Sequence, residues 1–225
     1  DVCSSDLLLL ANFWKCPVFF PQTLPQTKAK KSVWFADKFF WSFLWKNWIS
    51  LFIDEEHKKN GWRIILNYLG YVLTSYLKSN DKILDVGCGT GWLGQELNSY
   101  NFSNLYGADI SKSSLEIAEK LNVYQSLDTV TLGSEIGIED NSFDAWVSTG
   151  VFTRNQVPIN AFEELIRILK IQGLLIVGLR AEDNDFYYKK IKEYYAQNTL
   201  EEVLKEKISP LRSCNHEIVI ARKIK

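Results

Sequence analysis

The feature that most limits how this chain can fold is a glycine turn set between a short apolar run and an amphipathic stretch. Lys82 to Val86 (KILDV) leads without interruption into Gly87-Cys88-Gly89-Thr90-Gly91, and a helical pattern follows from Gly91 to Tyr100. A strand that ends in closely spaced glycines and turns at once into a helix uses backbone angles that residues with a Cβ avoid, and it lets a ligand touch bare backbone. The amino terminus of such a helix offers free N–H groups and a partial positive charge, which suit a carboxylate as well as a phosphate. The turn falls at the carboxyl end of a strand, where open α/β sheets bind ligands. Asp109 closes the next apolar run, 20 positions after Gly89. A carboxylate there can accept hydrogen bonds from both hydroxyls of a ribose, so the minimum reading is an adenosine-containing cofactor.

The rest of the chain repeats the strand-then-helix style. Upstream, apolar residues recur at Ile65, Leu69, Val72 and Tyr76 and again at Leu66, Leu69, Leu73 and Leu77, which predicts one amphipathic helix over Trp62 to Leu77. Further apolar runs at Leu105 to Asp109, Leu127 to Leu132, Ala145 to Thr149 and Leu174 to Leu179 read as buried strands. Between them, helices are predicted over Ser111 to Asn122, with Ser111 as N-cap, and over Pro158 to Lys170, where Glu163 stands four before Arg167. Continuous apolar strands alternating with helices argue for a parallel sheet covered on both faces, a doubly wound α/β architecture. After the fifth strand a helix is predicted over Asp185 to Gln197, and Glu202 to Ile208 and Glu217 to Ala221 read as edge or antiparallel strands.

Composition excludes several classes of function. The chain has 225 residues, 46% hydrophobic and 24% charged, with 26 basic against 27 acidic residues and a formal net charge of −1. No global field draws in nucleic acid or an anionic membrane, so neither is an expected partner. Cys3, Cys16, Cys88 and Cys214 lack the paired spacing of a zinc site or redox dithiol, so no metal is expected and a reducing, cytoplasmic setting fits. The apolar stretch Val33 to Ile53 is broken by Asp37, Lys38 and Lys46, short of the roughly 18 apolar residues of a membrane span. The opening Asp1 to Leu7 (DVCSSDL) resembles a translated sequencing-library adapter, and the chain contains no methionine. The expected organisation is therefore a leader over 1–53, of untranslated or frame-shifted origin beyond residue 7, and a single domain over 54–225.

Two cofactors fit the turn on spacing alone, because Gly89-Thr90-Gly91-Trp92-Leu93-Gly94 also satisfies the dinucleotide pattern G-x-G-x-x-G. Three features lean away from a nicotinamide cofactor: Asp85 precedes the loop, Gly87 opens it one step earlier, and a full amphipathic helix lies upstream of the first strand. The string ILDVGCGTG over Ile83 to Gly91 resembles motif I of class I S-adenosylmethionine (SAM)-dependent methyltransferases. LYGADIS at Leu105 to Ser111, SFDAWVSTGVF at Ser142 to Phe152 and the segment Ala161 to Arg180 are similar to the later motifs of that superfamily. Within it, the TGVF…VP and LRAEDNDFYY segments look most like the Williams-Beuren region methyltransferase-like group.

The resemblance implies a Rossmann-like, mainly parallel seven-stranded sheet with an antiparallel C-terminal strand and SAM as cofactor; with no Asn/Asp-Pro-Pro-aromatic signature at Thr149 to Phe152, a small-molecule methyl acceptor is the residual expectation. It implies that Gly87, Cys88, Gly89, Thr90 and Gly91 form the loop against the methionine and ribose portions, with Asp85 near the cofactor ammonium. It further implies that Asp109 holds the ribose hydroxyls, Ile110 covers an adenine face, Gly133 and Ser134 border the adenine edge, and Thr149 lies near the methionine moiety. The chain departs from the family pattern in three places. Leu132 and Gly133 stand where many relatives carry an acidic residue, Lys170-Ile171-Gln172-Gly173 replaces the usual K-P-G-G turn, and Arg154-Asn155-Gln156 replaces a histidine found in some relatives. No catalytic residue is assigned; His57 lies in a charged run and His216 opens the last strand. A nicotinamide-dependent oxidoreductase and a non-catalytic SAM-binding protein stand as the alternatives.

Overall fold

Seven strands form one mixed sheet in the order β3-β2-β1-β4-β5-β7-β6. The computed structural model describes residues 62–153, 156–211 and 214–225. The leader expected over 1–53 and His57 lie outside the described residues. In chain order the elements are α1 (Trp62–Leu73), β1 (Ile83–Val86), α2 (Trp92–Ser99), β2 (Leu105–Asp109), α3 (Lys112–Glu119) and β3 (Tyr124–Thr129). They continue as β4 (Phe143–Thr149), α4 (Ala161–Ile168), β5 (Leu169–Arg180), α5 (Ala181–Ala196), β6 (Leu200–Leu211) and β7 (Cys214–Lys223).

Strands β1 to β5 run parallel to one another, and β7 runs antiparallel to both β5 and β6. The expected doubly wound α/β sheet with one antiparallel C-terminal strand is therefore the observed one. The last segment is not an edge, however. Strand β7 lies inside the sheet, with Ile218, Val219, Ile220 and Ala221 all at 0% exposure. The weak alternation of its sequence reflects burial on both faces, which rewards a continuous apolar run.

Successive residues of the central strands feed two separate cores, as the period of two requires. Ile83, Ala145, Val147, Ile176 and Ile220 face one side, where Ile65, Leu69 and Leu73 of α1 and Leu93 and Leu97 of α2 cover them. Leu84, Val86, Trp146, Val177 and Val219 face the other, under Phe162 and Leu165 of α4 and Tyr187 and Ile191 of α5. Each fully buried side chain of this kind contributes about 1.5–3 kcal/mol by leaving water. Helix α3 begins where expected: the Ser111 hydroxyl accepts a hydrogen bond from the Ser114 N–H.

Several boundaries differ from the sequence reading, and α1 ends at Leu73 rather than Leu77. Strand β3 spans Tyr124–Thr129 rather than Leu127 to Leu132, because its pairing with β2 starts at Leu105↔Tyr124. Helix α4 stops at Ile168, and the chain enters β5 at Leu169, pairing Phe143↔Leu169 before the register jumps to Ala145↔Leu174. Arg167 pairs with Glu164, one turn back at i−3, rather than with Glu163. Asp144 joins three strands at their amino ends, accepting the Lys82 N–H at 2.8 Å and the Lys170 Nζ at 2.7 Å.

Candidate functional site

The glycine turn is held at its base by β2. The N–H groups of Gly87 and Cys88 both donate to the Ala108 carbonyl, at 2.7 and 3.1 Å. Gly87 has φ +73°, and Val151 packs so closely over it that a Cβ could not be accommodated. Gly89 has φ +52° and nothing within 4 Å of where a Cβ would stand. The first glycine is thus required by packing, whereas the second opens onto free space.

Asp109 at the end of β2 faces that opening. Its Oδ2 accepts the Gly89 N–H at 2.9 Å and its Oδ1 accepts the Ser111 N–H at 2.8 Å. A carboxylate carries about four acceptor positions, so one on each oxygen remains for an incoming pair of hydroxyls. Ile110, next in the chain, is an apolar side chain 56% exposed. The Val130 N–H donates to the Asp109 carbonyl, which starts the loop after β3 from the same place.

Asp85 lies beneath the turn rather than on its open surface, at 2% exposure. The Tyr124 hydroxyl donates to its Oδ2 at 2.7 Å and in turn accepts the Gly94 N–H at 3.1 Å. Burial pushes the Asp85 carboxyl up to about 7; the Tyr124 hydrogen bond opposes that rise and the charge of Asp109 adds to it. Cys88 is buried as well, and burial, with the charges of Asp85 and Asp109, pushes its thiol pKa up. A thiol in that setting packs rather than attacks.

The remaining expected residues divide. Thr90 is half-buried within the turn, and Gly91, at φ +88°, precedes α2. Thr149 is half-buried at the end of β4, two residues beyond the Asp85↔Val147 pair. Thr149 and the glycine turn therefore share one end of the sheet. After it Gly150 turns at φ +76° and Phe152 drops to 1% exposure, its ring 4.9 Å from Phe162. Gly133 and Ser134 border a shallow cavity that Glu135, Asn160, Glu163 and Arg167 also line. The Asn160 amide donates to the Gly133 carbonyl at 3.3 Å. Arg167 braces that loop from α4, donating to the carbonyls of Ile136 and Ile138 at 2.9 and 2.8 Å. His216 is 4% exposed in β7, opposite Arg180.

Sequence reasoning missed Tyr124 altogether. Its partners Asp85 and Gly94 lie 39 and 30 positions away, and no local pattern signals such a contact. Among the described residues, no group of three or more His, Cys, Asp or Glu side chains could hold a metal ion, and no helix is long and apolar enough to cross a membrane.

A sheet of this order with one reversed strand, a glycine turn at its switch point and an acidic residue ending the next strand is the arrangement of the class I SAM-dependent methyltransferase fold. Residues 84–177 match the family described as "Methyltransferase domain". The chain is similar to methyltransferase-like protein 27 of Homo sapiens, 38% identical over 112 residues that make up 49% of this chain and 45% of that protein. Among solved structures, the [4+2]-cyclase SpnF has a TM-score of 0.61 at 18% identity, covering 74% of this chain and 83% of its own. An S-adenosylmethionine-dependent methyltransferase from Mesorhizobium loti has a TM-score of 0.53 at 14% identity, covering 68% of this chain and 96% of its own. These two likenesses concern the fold alone. The chain spans about half the length of the curated relatives it matches.

Proposed function

We propose that this chain binds SAM over the Gly87–Gly91 turn and transfers its methyl group to a small-molecule acceptor. The observation that carries the reading is the Asp109 carboxylate, fixed by two backbone N–H groups and facing the open space at Gly89. That arrangement fits the adenosine part of the cofactor: Asp109 accepts from the ribose hydroxyls, Gly89 allows close approach, and Ile110 lies against the adenine ring. The bound cofactor supplies a methyl group already activated by its sulfonium. The protein's task is then to align the acceptor with that methyl and exclude water, and a general base is not obligatory. A nearly neutral chain favours a small acceptor over a polyanion.

The test is thermal unfolding of the whole chain with S-adenosylhomocysteine, SAM or NADH in separate samples. A ligand at a hundred times its Kd stabilises by about 2.7 kcal/mol. Stabilisation by the two sulfur ligands and not by NADH is the expected result, and stabilisation by NADH alone would overturn the reading. Cofactor binding with no methylation of any small molecule in a cell extract would leave a binding protein in place of an enzyme.

A further inference from the structure

We propose that Tyr124 is a positioning residue for the cofactor turn: its hydroxyl, linking the Asp85 carboxylate to the Gly94 N–H, fixes the first turn of α2 in the orientation that binds SAM. This rests on the SAM reading above.

The ring of Tyr124 reaches in from β3, the edge strand of the sheet, and occupies a space that three glycines create. A Cβ at Gly94 would collide with the ring and the hydroxyl, and one at Gly91 or Gly107 would stand 3.1 or 3.3 Å from the ring. Two of these glycines belong to the turn and first helical residues, and the third to β2. The space is therefore shaped for the tyrosine and lies below the turn, while the opening at Gly89 is where a ligand is expected. The Gly94 N–H is one of the first-turn donors that an α-helix leaves without an internal partner, and here its partner is a side chain from another strand.

The hydroxyl hydrogen is committed to Asp85 and a lone pair to Gly94, so the group has a defined direction. Asp85 is the last residue but one of the strand that becomes the turn, and Gly94 lies in the helix that leaves it. Tyr124 thereby ties the entry of the turn to its exit. The titratable groups facing Asp85 are Tyr124 from β3, Asp109 from β2 and Cys88 from the turn, and α2 contributes the Gly94 N–H. The tyrosine hydrogen bond favours the ionised carboxylate. Its loss therefore moves Asp85 titration to higher pH.

The variant Tyr124→Phe keeps the ring and removes only this link. The Kd of S-adenosylhomocysteine, measured by calorimetry on the full chain from pH 6 to 9, is the readout, with circular dichroism to follow the fold. The expected result is affinity several-fold weaker near neutral pH and an inflection displaced upward from that of the unaltered chain. In Asp85→Asn, which keeps an acceptor for the hydroxyl but cannot ionise, the inflection disappears. An unchanged Kd and pH profile in Tyr124→Phe overturns the proposal, even if its Tm falls, because a purely structural tyrosine does only that. An inflection retained in Asp85→Asn overturns it too. Absence of S-adenosylhomocysteine binding by the unaltered chain overturns the SAM reading and this proposal with it.

Discussion

Gln172 occupies the left-handed region at φ +69°, in the turn where relatives place glycine. A side chain with a Cβ pays roughly 1–2 kcal/mol there, partly offset because glycine loosens the unfolded chain by about 0.4–1 kcal/mol. Gln172→Gly is expected to stabilise the fold by about 0.5–1 kcal/mol, read as a higher Tm. Asp109 gives the opposite kind of prediction. Asp109→Asn removes the charge and replaces one acceptor by a donor that faces a backbone N–H. S-adenosylhomocysteine affinity is expected to fall about tenfold or more, the size of one lost charge-assisted hydrogen bond, and an unchanged Kd in titration calorimetry would sink the ribose assignment. Residues such as these were legible in the sequence wherever spacing alone carried the signal, as with the glycines of the turn and Asp109. Tyr124 was not legible, since the fold and not the spacing brings it beneath Asp85. The sequence also pointed Asp85 at a ligand; its side chain is 2% exposed and accepts the Tyr124 hydroxyl.

At the scale of elements, the loop between β3 and β4 depends on one side chain. Arg167 holds the carbonyls of Ile136 and Ile138 and the carboxylates of Glu164 and Asp140, and Glu164 in turn accepts the Ile136 N–H. With the Arg167 side chain 29% exposed, the network is discounted for solvent, and Arg167→Ala is expected to cost about 1–3 kcal/mol. For a chain of this size that lowers Tm by about 2–4 °C for each kcal/mol, measurable by differential scanning calorimetry. The same loop shows why boundaries were harder to read than elements. Val130 and Leu132 look like strand residues, but the ladder ends at the pair Asp109↔Thr129, closed by the Val130 N–H on the Asp109 carbonyl. Strand β3, exposed at four of its six positions, carries too little apolar pattern to correct the error. Strand β5 begins directly after α4, so no polar turn separates helix from strand at Leu169.

For the whole molecule, the sheet is completed by its last strand. Removing β6 and β7 strips Ile218, Val219 and Ile220, each fully buried, from the centre of a two-sided core. At about 1.5–3 kcal/mol apiece these three alone approach the total stability of a typical domain, about 5–15 kcal/mol. A chain ending at Thr199 is expected to lose its near-ultraviolet circular dichroism while keeping helical signal; retention of the native spectrum would show that β1 to β5 suffice. The sequence made β1, β2, β4 and β5 readable because each is followed by a helix, but it held no sign that β7 inserts between β5 and β6.

That insertion orders events in time as well as in space. Translation delivers β1 to β5 first and β7 last, so a nascent chain presents the bare edge of β5 until the residues up to Lys223 have left the ribosome. An unpaired, apolar strand edge is a template for pairing with another chain. Until β7 pairs with it, the β5 edge of the half-made domain is open to pairing with another chain.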